Sequence, residues 1–74
     1  MQEIMRTNDV VAISYALSIL QDAGLEAVVA DQHMSVLEGS IGVFPRRVQV
    51  WDEAAAEARR LLEEAGLAEF LVAS

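Results

Sequence analysis

His33 is the one side chain in this sequence that titrates near neutral pH when unperturbed, and Asp31 and Glu38 stand close enough along the chain to orient it or raise its pKa. A hydrolytic or proton-transfer site needs a nucleophile or a metal ion beside such a base, and no residue pattern here supplies either. One imidazole among loop carboxylates also lacks the convergent spacing of a metal-ligand set. His33 is therefore read as a structural or partner-contacting residue, with no metal or cofactor expected. The runner-up is a small enzyme or accessory subunit in which His33 acts as acid or base beside Arg46 or Arg47.

Arg46 and Arg47 invite an anion, because a guanidinium makes bidentate contacts to carboxylate or phosphate. Strand alternation sends the two to opposite faces, so they do not form one clamp. The competing reading has one or both pairing with Asp31 or Glu38 and bracing the segment between them. If 31–47 is instead a contact surface, Asp31, Gln32, His33, Ser35, Glu38, Arg46 and Arg47 are the residues expected to meet a protein partner or a small anionic ligand. Trp51 reads as an apolar anchor where a strand passes into a helix.

Charge narrows the partners further. Twelve acidic against five basic residues give a net charge of −7, which repels the phosphate backbone that drives nucleic-acid binding and disfavours anionic membranes. Every basic residue is arginine, and Asp31 to Val50 is the one stretch where acids do not outnumber bases. An anion would be drawn there. With 54% hydrophobic and 23% charged residues the chain is too apolar for disorder. It has no cysteine, so neither disulfides nor thiolates support its core. The longest uncharged run, Val10 to Gln21, is too short to span a bilayer, and no basic-apolar-small pattern opens the sequence; a soluble cytoplasmic protein is expected. At 74 residues, a single domain is expected, burying roughly 60% of the surface its unfolded chain exposes.

The elements that must hold these residues are announced by a repeat. Leu20-Gln21-Asp22-Ala23-Gly24-Leu25 returns as Leu62-Glu63-Glu64-Ala65-Gly66-Leu67, each time after an alanine-rich helical stretch and before a β-prone run. A short strand over Gln2 to Arg6 leads into Thr7-Asn8-Asp9, which are N-cap types. From Asp9 to Ala23 the apolar residues Val10, Ile13, Ala16, Leu17 and Leu20 recur at helical spacing, until Gly24 stops the helix. Leu25 to Ala30 is the second strand, and periodicity then vanishes from Asp31 to Phe44. Arg46 to Trp51 alternates as a third strand, with Pro45 at its start. Asp52 is expected to cap a second helix with the stripe Ala55, Ala58, Leu61, Leu62 and Ala65, its arginines and glutamates facing water. Gly66 ends that helix, and Glu69 to Val72 reads as a fourth strand. Two such units interleave as an α+β, ferredoxin-like β-α-β-β-α-β fold, a four-stranded antiparallel sheet with both helices on one face. Met5, Val28 and Leu71 are expected on the open face, where they would favour a homo-oligomer.

From Arg6-Thr7-Asn8-Asp9 through Ala23-Gly24-Leu25, Asp31-Gln32-His33-Met34-Ser35-Val36-Leu37-Glu38-Gly39-Ser40 and Pro45-Arg46-Arg47-Val48, nearly the whole chain resembles a family of small bacterial proteins. The family is labelled putative prokaryotic signal-transducing proteins and grouped with the GlnB-like (PII-like) ferredoxin folds. The resemblance implies that fold and a regulatory role. In PII proteins the long loop after the second strand meets partners, and His33 to Phe44 holds the corresponding position. This chain is much shorter than a PII protein, so the resemblance transfers neither nucleotide binding nor trimer formation.

Overall fold

The computed structural model describes residues 1–30 and 46–72. Strand β1 (Gln2–Thr7) leads to helix α1 (Val10–Asp22), strand β2 (Ala27–Ala30), strand β3 (Arg46–Val50) and helix α2 (Ala55–Glu64). The three strands form an antiparallel sheet in the order β1-β3-β2, with β3 central. Val48 and Val50 are fully buried, and they share one core cluster with Ile13, Ala16 and Leu20 of α1 and Ala58 and Leu62 of α2. The helices touch each other and β1. They thus cover one face of the sheet, with buried alanines at 12, 16, 55 and 58 allowing close approach.

The repeated hexapeptide is a helix terminator. Gly24 and Gly66 have φ of +78° and +89°, where a Cβ is penalised. The Leu25 N–H donates to the Leu20 carbonyl (2.9 Å) and the Gly24 N–H to Gln21 (2.9 Å); Leu67 to Leu62 (3.0 Å) and Gly66 to Glu63 (3.1 Å) repeat the pair. This is the Schellman arrangement, in which the leucines either side of the glycine belong at the positions that make its hydrophobic contact. Leu20, Leu62 and Leu67 are buried, and Leu25 packs on the core.

Helix starts differ from one another. At α1, Asp9 Oδ1 accepts from the N–H groups of Val11 (2.9 Å) and Ala12 (3.2 Å), and Thr7 Oγ1 accepts from the Asp9 N–H (3.1 Å). Asp52 does not cap α2 as expected: Asp52–Ala54 is a 3₁₀ turn whose Ala54 N–H donates to the Trp51 carbonyl at 2.9 Å, and no side chain caps that turn or the helix after it. Asp9→Ala should therefore cost about 1 kcal/mol in chemical denaturation, with a much smaller loss for Asp52→Ala. Equal losses would contradict the capping assignment.

Further expectations are corrected. The fourth strand shrinks to one antiparallel bridge, Leu71 to Met5, with the Val72 N–H donating to the Ile4 carbonyl at 3.0 Å. A 3₁₀ turn over Ala68–Phe70 takes up most of the residues that would have formed it. Met5 is not on the open face. The register of β1 against β3 slips between Glu3 and Met5, and this bulge leaves the consecutive residues Ile4 and Met5 both fully buried. Leu71 is half-buried against the same core. In α1, Val10 is exposed and Ala12 is buried instead. In α2, Arg59 is half-buried rather than facing water, with Nε and Nη2 shielded from solvent and without a hydrogen-bond partner among the described residues.

Candidate functional site

Arg46 and Arg47 open β3, and register places them on opposite faces as alternation predicts. Arg46 pairs with Thr7 on the side of Val48 and Val50, whereas Arg47 lies between Arg6 of β1 and Ala30 of β2 on the face without helices. One row along, Gln49 lies between Glu3 and Val28. Among the described residues, the sheet face opposite the helices carries Arg6, Arg47, Glu3, Gln49, Val28 and Ala30. Asp31, Gln32, His33, Ser35 and Glu38 lie outside the described residues.

The β1 bulge builds this site. In a regular strand, residues three apart point to opposite faces; the extra residue Ile4 brings Glu3 and Arg6 to the same one. Arg6 Nε donates to Glu3 Oε2 at 2.7 Å. That hydrogen bond, more than any other influence, holds the Glu3 carboxyl below the usual carboxylate range; partial burial opposes it, and the charges of Arg6 and then Arg47 add to it. The same bond raises the Arg6 pKa. Because the folded pKa of Glu3 is depressed, its contribution to stability is present above the unfolded carboxylate value and lost as pH falls through the folded one. At an exposed pair that contribution is small. Arg6→Ala should move the Glu3 titration to higher pH, and Arg47→Ala should move it less, as read by carboxyl-carbon NMR. The reverse order would contradict the assigned causes.

Two guanidiniums side by side repel unless an anion joins them. Glu3 takes the Nε of Arg6, leaving that side chain's terminal nitrogens outside the bond, and the Arg47 guanidinium, whose charge reaches Glu3, makes no side-chain hydrogen bond or salt bridge among the described residues. The arrangement suits a carboxylate or phosphate received at Arg47 and Arg6. At the other end of the face Trp51 is 47% exposed, and its indole N–H donates to Glu26 Oε1 at 3.0 Å, tying the end of β3 to the residue before β2. Val28 is 45% exposed. Arg6 and Glu3 went unrecognised from sequence because their place depends on a bulge and on pairing between strands far apart in the chain.

Over the described residues the chain is an α+β fold of a three-stranded antiparallel sheet and two helices. Residues 1–66 match the family described as putative prokaryotic signal transducing protein, and the chain belongs to that family. That span includes both glycine-terminated helices and ends before the Leu71 bridge. A comparison with curated proteins finds no match. Among the described residues no helix is long and apolar enough to cross a membrane.

Proposed function

We propose that this protein is a non-enzymatic cytoplasmic regulatory or adaptor module that binds an anionic group, a carboxylate or phosphate on a protein partner or small ligand, at the Arg47 end of the 31–47 segment. The observation that supports it is the cross-strand pair of Arg6 and Arg47 on the sheet face opposite the two described helices. In a chain of net charge −7, two adjacent cations against the single carboxylate of Glu3 leave a local positive excess that attracts anions. Asp31, Gln32, His33, Ser35 and Glu38 are assigned to the same contact on sequence grounds. The fold is read as GlnB-like: the Leu71 bridge on the outer side of β1 lies where a ferredoxin-like sheet carries its fourth strand.

The test is affinity capture from a native lysate with wild type and Arg47→Glu. The substitution leaves the Arg6–Glu3 pair in place, so circular dichroism and denaturation midpoint should change little. Capture of an acidic partner should fall about tenfold or more, since a like charge now meets the ligand. Undiminished capture by a folded variant would remove the site from this face.

A further inference from the structure

Along the sheet face that carries Arg6 and Arg47, the chemistry changes from one end to the other. The two guanidiniums stand at the row where β3 begins. One row on, the exposed Val28 lies across from Gln49. Trp51 comes next: its backbone is still extended, and because Val50 before it is fully buried, strand alternation turns the exposed indole to the same face as Arg47 and Gln49. The hydrogen bond from its N–H to the carboxylate of Glu26 holds it there. Val28 and Trp51 are diagonal neighbours across β2 and β3, within the reach of an aromatic side chain. Isolated exposed apolar residues need no explanation; these two form one patch, and it shares its face with the cations. Arg47 and Trp51 are four residues apart along the strand, about 13 Å at the rise of extended chain.

We propose that this face receives an extended segment of a partner protein carrying an acidic side chain and, four residues from it, a leucine-like or aromatic one. The acid sits at Arg47 and Arg6, and the apolar side chain covers Val28 and the Trp51 indole. This rests on the anion-binding reading and adds the second half of the ligand. Charge sets which end is which. The exposed carboxylate of Glu26 beside the indole repels a second acid there, so the far end accepts an uncharged group. A run of anions such as a nucleic acid is refused for the same reason. Spacing sets the conformation. An extended segment has the rise of β3 itself and brings residues four apart to one side, so both groups meet the face together. Small-molecule sites are concave, whereas a sheet face is shallow and offers its two ends only to a ligand long enough to span them.

Three end-blocked peptides test this, each with one glutamate in a serine-glycine background and with serine, leucine or a second glutamate four residues away, made with the first glutamate leading and with it trailing. In NMR titrations of the wild type the leucine peptide should bind tightest, about fivefold above the serine peptide, roughly the worth of one buried methylene group. Trp51 is the chain's single tryptophan, so its one indole N–H resonance reports the apolar end directly; it should move with the leucine peptide and stay in place with the serine peptide. All three peptides should bind more weakly to Arg47→Glu. Tightest binding by the second glutamate, equal binding of leucine and serine, or a leucine advantage that leaves the indole resonance unmoved would overturn the proposal while the anion site stood. Binding of every peptide undiminished in a folded Arg47→Glu would overturn both.

Discussion

Leu62→Ala is expected to destabilise the protein by about 2–5 kcal/mol, the range for truncating a leucine whose surroundings cannot collapse into the space left. Leu62 is fully buried, and its carbonyl also accepts the Leu67 N–H that closes α2. Leu20 occupies the equivalent place in α1, so Leu20→Ala should cost the same. Domains of this size have on the order of 4–11 kcal/mol in total, so either change removes a large share. Leu17 and Leu61 are only partly buried beside the core, and their alanine variants should lose clearly less. The measurement is urea denaturation with an unchanged slope. A loss below about 0.5 kcal/mol at Leu62, the size of an ordinary surface change, would show that the core is misplaced.

Gly24→Val and Gly66→Val are expected to cost at least about 1–2 kcal/mol each through the backbone alone. An added Cβ at either glycine would meet nothing within 4 Å, so there is no steric clash with neighbours to absorb. The penalty comes from holding a β-branched residue at φ near +80° or +90°, where both glycines sit. Asparagine tolerates that region better, so Gly24→Asn and Gly66→Asn should be milder than the valine variants. Equal losses for valine and asparagine would mean that something other than the left-handed conformation sets the cost.

These terminators show which parts of the molecule a linear reading reaches. Leu-x-x-Ala-Gly-Leu encodes its structure within six residues, because the two hydrogen bonds and the positive φ all fall inside the motif. Asp9 was legible for the same reason, since its carboxylate caps N–H groups two and three residues ahead. Asp52 has a similar setting in sequence, yet a 3₁₀ turn starting from Trp51 comes first and the cap is not made. Phe70-Leu71-Val72 has strand composition, and another local turn, Ala68–Phe70, takes precedence over pairing. In α1 the pattern finds the buried side through Ile13, Ala16 and Leu20 but misplaces its N-terminal edge, where apolar Val10, Val11 and Ala12 follow one another; Val10 is exposed and Ala12 buried.

The candidate site was legible in one half. That Arg46 and Arg47 part to opposite faces follows from the two-residue repeat of a strand, and the register bears it out. That Arg47 finds Arg6 beside it does not follow from any local pattern. It depends on β1 lying next to β3 and on a bulge at Ile4 that shifts every later residue of β1 by one position. Asp31, Gln32, His33, Ser35 and Glu38 rest on sequence alone.

Amide chemical-shift mapping with a glutamate-rich peptide tests most directly whether the sheet face bearing Arg47 and Arg6 receives anions. Shifts should cluster at Arg6, Arg47, Gln49 and Val28, shrink as salt is raised through the range where exposed charges are screened, and vanish in Arg47→Glu. Shifts confined to α1 or α2, or a pattern that persists unchanged in Arg47→Glu, would contradict it.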